Sequence, residues 1–332
     1  MKDKFWRNKS VLVSGANGFL ASHLTLALLR QGARVTGIIK ESLPTSFLEL
    51  ELKEKKFKNL RLIKGDIADY SFIKRAFLIS KPDLCFHLAA QAIVGLANKS
   101  PLPTFETNIT GTWNILEVLR QISPRTKVIV ASSDKAYGEH KKLPYKENAA
   151  LQSLHPYDAS KACTDILTRT YSNTYNLATA VTRCANIYGP GDLNFSRIIP
   201  DTIKSAVFNR NPVIRSDGTP MRDYIYIEDA LGAYLRLAKA LNSKGRGVCG
   251  EAFNFGSGRP VSVINLVNII LKLSHKKKLK PVILSRRKIK GEIDRQYLSS
   301  SKAKRLLRWS CSYSLSKGLK ETIIWYKAYL SK

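Results

Sequence analysis

The sequence predicts an α/β fold, a doubly wound parallel sheet with a smaller α/β lobe attached. Three observations carry that expectation. Short unbroken apolar runs alternate with amphipathic stretches through the first part of the 332-residue chain, as strands buried on both faces by crossover helices require. Glycines in a GxxGxxA pattern (Gly15, Gly18, Ala21) follow the first of those runs. After Tyr188 the texture changes: YGPGDLNFSR has the composition of a loop, and the strands beyond it are short.

Taken in order, 10–14 (SVLVS) is the first strand and 18–30 has helical periodicity. Strands follow at 33–39, 60–64, 84–88, 127–131 and 179–182, with helices at about 70–79, 104–121 and 156–175. In the second part, strands are expected at 212–215, 252–254 and 282–284, and helices at 229–240, 261–273 and 315–329. The lysine-rich 276–280 stretch is the expected flexible loop.

Composition bounds the function. With 44% hydrophobic and 24% charged residues, the chain has the make-up of a globular protein with a sizeable core. No window reaches the ~18 uninterrupted apolar residues of a membrane span. The opening MKDKFWRNKS lacks the apolar segment and cleavage site of a signal peptide, so a cytoplasmic protein is expected. Five scattered cysteines, none in a CxxC pair, and five histidines without HExxH spacing give no reason to expect a disulfide framework or a metal. The formal charge of +30 would suit nucleic acid or a phosphorylated substrate. Yet Lys and Arg are spread widely, densest at 53–58 and 275–290, with no RNA-recognition motif, zinc finger or arginine-rich tail. Most of this charge is read as solvated surface, with no specific nucleic-acid partner.

The glycine pattern sits in the first strand-to-helix turn. Glycines there let the backbone turn tightly and approach a pyrophosphate, whose charge the helix N-terminal amides favour. The end of the second strand, Ile39-Lys40-Glu41, gives conflicting signals on the cofactor: Lys40 leans towards a 2′-phosphate and Glu41 towards a free ribose. Asp66, just past the third strand, either accepts from an adenine amino group or caps the next helix. Ala89 and Ala90 end the fourth strand with small side chains against which a cofactor can lie.

HPYDASKACTD places Tyr157 and Lys161 four apart, on one helical face. A phenol with an ordinary pKa near 10 is a poor base. A nearby ammonium and a cationic nicotinamide would favour the phenolate, which could then take a hydroxyl proton while hydride leaves.

With these residues in place, the chain resembles the extended short-chain dehydrogenase/reductases of the nucleotide-sugar epimerase/dehydratase group. GANGF, GDIAD, FHLAAQA, TFETNITGTWNILE, SSDKAYG, YDASK, TRCANIYGPGD, RDYIYIEDA and FNFGSG carry the likeness over nearly the whole chain. The resemblance implies a Rossmann unit over residues 1–187 and a mainly substrate-binding lobe over 188–332, interleaved with it. It implies NAD as cofactor, with NADP left open, held by Gly15, Asn17, Gly18, Phe19, Leu20, Lys40, Asp66, Ile67, Leu88, Ala89, Ala90, Tyr157 and Lys161. Ser133, four residues before the tyrosine of the YG pair, would orient the sugar, and Asn108 would support the site. Gln91, Asn186, Arg197, Arg222 and Arg295 complete the implied substrate set. Asn186 and Arg222 are placed at the diphosphate; an ion pair with Asp223 is the other reading of Arg222.

Within the group, the residues after Ser133 bear on the reaction. The 4-epimerases work with Ser, Tyr and Lys. The 4,6-dehydratases must also remove the C5 proton and protonate the departing C6 hydroxyl. The dTDP-glucose enzymes carry Asp-Glu at this place, and the CDP-glucose enzymes resemble Asp-Lys. Ser133-Asp134-Lys135 therefore points to a 4,6-dehydratase of the CDP-glucose type. Asp134 would be the acid, its pKa raised by burial; Lys135 would be the base at C5 or a charge stabilising the enolate. A 4-epimerase, or a non-catalytic nucleotide- or RNA-binding protein, is the alternative. The resemblance also implies a homodimer through helices 104–121 and 156–175, where Trp113 and Ile166 belong either to the interface or to the core.

Overall fold

A computed structural model describes residues 4–243, 247–285 and 293–331. Seven parallel strands form the central sheet: β1 (Ser10–Ser14), β2 (Arg34–Ile39), β3 (Leu60–Lys64), β4 (Leu84–His87), β5 (Lys127–Ala131), β6 (Thr179–Cys184) and β7 (Glu251–Phe255). Their spatial order is β7-β6-β5-β4-β1-β2-β3. The order reverses between β1 and β4, where Ser14 pairs with His87, and a crevice opens at such a point.

Period-two alternation divides the core. Val11 and Val13 face one layer with Phe86, Phe253 and Tyr234, while Leu12 faces the other with Cys85, Val128 and Ile115. Helix Phe19–Arg30 and helix Ile227–Asn242 cover the first face. Helices Tyr70–Ser80 and Gly111–Ile122, with Leu167 and Tyr171 of helix Pro156–Tyr175, cover the second.

Several elements differ from expectation. The strand expected at 252–254 runs over Glu251–Phe255 and joins the central sheet beside β6, so the second half of the chain completes the first unit's sheet. The helix expected over 104–121 is three pieces: Pro101–Phe105, a π-turn at Glu106–Thr110 and Gly111–Ile122. A Cβ at Gly111 would collide with Ile67, so glycine permits the close approach of helix and loop here. At 261–273 the first two residues form a strand, and Ser262 then caps helix Val263–Leu273 by accepting from the Asn265 amide at 3.4 Å. Helix Phe47–Glu54, capped by Ser46, and helix Ile198–Val207 have no counterpart in the expectation.

Among the described residues the lobe is held by three small sheets, one of them Val261–Ser262, Met221–Arg222 and Arg295–Gln296 side by side. Among the described residues, no helix is long and apolar enough to cross a membrane, and no cluster of ligating side chains could hold a metal. Lys53, Lys55, Lys56 and Lys58 are exposed; residues 286–290 of the second basic run lie outside the described residues.

Candidate active site

The site is built at the sheet's switch point. Ser14 ends β1, and its hydroxyl accepts the amides of Leu88 and Ala89, each at 3.1 Å. Gly15 turns with φ +69°, and a Cβ there would lie 2.8 Å from the Ala89 Cα. Glycine is required both for the turn and for this backbone contact. Gly18 begins helix Phe19–Arg30 with no side-chain cap, so polar groups at this N-terminus are open to a ligand. Asn17 donates to the Glu41 carbonyl at 2.8 Å and ties the glycine turn to the end of β2.

At the end of β5 the chain enters a 3₁₀ turn, Asp134–Tyr137, which Ser133 caps through the Lys135 amide at 3.2 Å. The turn draws Asp134 inward. Its backbone carbonyl accepts from Gln296 at 2.9 Å, Oδ1 accepts from the Ser133 hydroxyl at 3.1 Å, and Oδ2 is buried without a partner. Burial pushes its pKa up to about 6, against the opposing charge of Lys135 and with some help from Asp223.

Tyr157 and Lys161 open helix Pro156–Tyr175 beside this turn. The Lys161 ammonium donates to the Ala131 carbonyl at 2.7 Å, and burial lowers its pKa to about 8. The Tyr157 phenol moves opposite to the expected depression: burial raises it to about 12, with Arg197 opposing and Asp134 adding. Asp158, the next residue, is raised by burial, with Lys135 opposing, and keeps Oδ1 buried and unpartnered. Lys135 thus stands electrostatically between two buried carboxyls.

These groups meet in one cavity of about 620 Å³. Gly15, Gly18, Phe19, Leu20, Leu88 and Ala90 line its sheet end, and Ser133, Asp134, Lys135, Tyr157 and Lys161 its middle. Asn186, Arg197 and Arg222 line its lobe end. Arg222 is buried and donates to the Met221 carbonyl at 3.0 Å. The carboxylate of Asp223 accepts the amides of Ser257, Gly258 and Leu298 and the Ser257 hydroxyl. Arg197 pairs with Asp192 at 3.0 Å.

Other expected residues stand behind or beside this wall. Lys40 and Asp66 pair with each other at 2.8 Å. Although partial burial works upward on Asp66, Lys40 and the Ala68 amide hold it below the usual carboxylate range. Ile67 is a core residue whose carbonyl accepts from Asn114. Asn108 is buried and bonds the Gln91 backbone and Ser160, while the Gln91 amide bonds the Ile93 carbonyl and Thr104; both brace the loop after β4. Arg295 is exposed over the Tyr297 ring, at 6.0 Å. Arg215, which sequence reasoning passed over, joins the cavity wall from a bend after strand Val213–Ile214; no motif marks it.

A glycine turn at the switch point of a parallel sheet, facing a half-buried Tyr157 and a buried Lys161 across one cavity, defines the short-chain dehydrogenase/reductase class. Within it, the family model described as GDP-mannose 4,6 dehydratase matches residues 12–322, and the chain belongs to that extended epimerase/dehydratase family. The chain is 30% identical to CDP-glucose 4,6-dehydratase of Salmonella typhimurium over 77% of its own length and 73% of the relative's. It is 31% identical to UDP-glucuronate 4-epimerase 2 of Arabidopsis thaliana over 96% and 76%. Among solved structures, UDP-glucuronic acid 4-epimerase of Bacillus cereus, in complex with UDP-glucuronic acid and NAD, superposes with a TM-score of 0.85 at 28% identity, over 96% of this chain and 99% of that one.

Proposed function

We propose that the chain is an NAD-dependent nucleotide-sugar 4,6-dehydratase acting on CDP-glucose. The carrying observation is Asp134, a buried carboxyl with one unpartnered oxygen in the cavity wall. With a pKa of about 6, roughly a tenth of it is protonated at neutral pH, about a hundredfold more than for an ordinary aspartate. That supplies an acid for the C6 hydroxyl.

The cavity's sheet end fits a dinucleotide: Gly15 admits no side chain, the helix after Gly18 is uncapped, and Leu88 and Ala90 leave the floor apolar. Gly15, Gly18, Leu88 and Ala90 would hold NAD there, and the group would supply the hydride acceptor for C4 and the hydride donor for C6. Lys40, occupied by Asp66, supports NAD over NADP. Tyr157 is the base for the C4 hydroxyl, Ser133 orients that hydroxyl, and the Lys161 ammonium favours the phenolate, an effect the positive charge of a bound cofactor would add to. Lys135 takes the C5 proton, Asp134 gives its proton to the C6 hydroxyl, which departs as water, and Lys135 returns a proton to C5 as hydride reaches C6. Asn186 and Arg222 hold the diphosphate.

The competing reading is 4-epimerisation of a UDP-uronate. The likeness to uronate epimerases favours it, as do Arg197 and Arg215 at the lobe end, which would suit a sugar carboxylate. Incubation with a panel of nucleotide hexoses and hexuronates, read by mass spectrometry, decides: CDP-glucose losing the mass of one water supports the dehydratase. An isomer of unchanged mass, with no elimination from any nucleotide hexose, refutes it.

A further inference from the structure

A second cavity, of about 460 Å³, lies at the β7 edge of the sheet, away from the active site. Lys146, Arg169, Lys302 and Arg305 line it, with Glu147 and Glu251. Its size falls within the range of small-molecule sites. Both carboxylates are engaged: Glu251 with Lys302 at 2.6 Å, and Glu147 with the Asn254 amide at 3.0 Å. Lys146 and Arg305 are exposed and, among the described residues, have no carboxylate within ion-pair distance. Convergent cations of this kind suit a phosphorylated anion.

Beneath the cavity runs a buried polar network. Arg169 lies 4.0 Å from Asp165, which is fully buried and holds Arg183 through two bonds of 2.7 and 2.9 Å. Arg183 also donates to the Glu147 carbonyl at 3.0 Å and to the Tyr137 hydroxyl at 2.7 Å. Tyr137 donates in turn to Asn254 at 2.7 Å. Tyr137 is the last residue of the 3₁₀ turn that carries Asp134 and Lys135. The wall of the outer cavity and the catalytic turn are therefore two ends of one buried network.

We propose that the Lys146–Arg169–Lys302–Arg305 cavity is an effector site for a small diphosphate-bearing anion, read by the catalytic turn through Asp165, Arg183 and Tyr137. An anion that engages Arg169 draws it from Asp165, leaving that carboxylate to Arg183 alone; the change reaches Tyr137 by direct hydrogen bonds. Unlike a solvated basic surface, the site has a defined route inward, which supplies the coupling that regulation needs.

The probe is pyrophosphate, titrated calorimetrically into the full chain with the active site saturated by CDP. The wild type binds it, and Lys146→Glu/Arg305→Glu, which alters two exposed side chains and keeps the wild-type circular dichroism, binds at least about tenfold more weakly. Pyrophosphate also changes turnover of the nucleotide sugar by about fivefold or more in the wild type and leaves the double variant unaffected. Absent binding to the CDP-saturated wild type, equal binding by the double variant, or binding without a change in turnover would each overturn the proposal. The comparison of wild type with the double variant does not depend on which nucleotide sugar the intact active site takes, so its failure is separable from failure of the dehydratase reading.

Discussion

At the residue scale, Asp134 has a cost that can be measured. Its folded pKa of about 6 lies above the ordinary 3.8, so the folded state binds the proton more tightly than the unfolded chain. Folding is therefore penalised above about pH 6, when the buried group must ionise, and the penalty vanishes below about pH 4, where both states are protonated. Two pKa units correspond to about 3 kcal/mol. Asp134→Asn should raise the thermal midpoint by several degrees near pH 8 and hardly at all near pH 3; equal shifts at both would remove burial as the cause. The same variant should keep C4 oxidation, seen as transient reduced nicotinamide absorbance, and lose elimination by about a hundredfold or more. Lys135→Ala and Lys135→Arg should behave alike, because arginine keeps the charge but cannot take a proton. Activity retained by Lys135→Arg would instead assign Lys135 to electrostatic stabilisation of the enolate. The identity of this pair was legible because an acid and a base beside the end of an apolar strand stand out. Burial of Asp134 was expected for an acid; the partner that holds its backbone, Gln296, was not legible, because it lies 162 positions away.

At the element scale, the glycine turn separates two roles that the motif treats alike. Gly15 has φ +69° and backbone within 2.8 Å of its would-be Cβ, whereas a Cβ on Gly18 would meet only the Gly15 carbonyl at 3.1 Å. Gly15→Ala should cost at least about 1–2 kcal/mol of stability from the left-handed backbone alone and weaken NAD binding at least about tenfold; Gly18→Ala should be milder on both counts. Thermal melts and fluorescence titration with NADH check the pair, and equal effects would show that the Ala89 contact is not the constraint. Strands β1, β2, β4, β5 and β6 were readable because strands buried on both faces are largely apolar runs, and edge strand β3 because LRLIK still carries three large apolar residues. β7 was seen as a strand but not as a member of this sheet: its partner β6 lies about seventy residues upstream, and local pattern carries no information on such pairing. The π-turn around Asn108 was invisible for a related reason. Asn108 is held there by Gln91 and Ser160, from two other segments, so tertiary contacts override a smooth helical periodicity.

At the scale of the whole molecule, charge and shape oppose each other in self-association. We infer that the chain forms a homodimer through helices Gly111–Ile122 and Pro156–Tyr175. Trp113 and Ile166 are 44% and 52% exposed on those helices, large apolar side chains left outside a core that buries their neighbours Ile115 and Leu116. The two helices pack against each other, and a contiguous exposed apolar patch across them is what an association surface requires. Each copy carries a formal +30, so pairing brings two strongly like-charged bodies together. Salt screens that repulsion within about 8–10 Å at 0.1–0.15 M, whereas it would weaken an interface held by ion pairs. The dimer should therefore tighten as ionic strength rises from about 0.02 to 0.3 M, the reverse of a salt-bridged interface. Light scattering across that range checks the sign. Trp113→Glu should give a monomer at every salt concentration, with Tyr157 and Lys161 still in place on the exposed helix. A wild-type chain that is monomeric throughout, or a dimer that loosens with salt, would place the apolar helices or the charge in some other role.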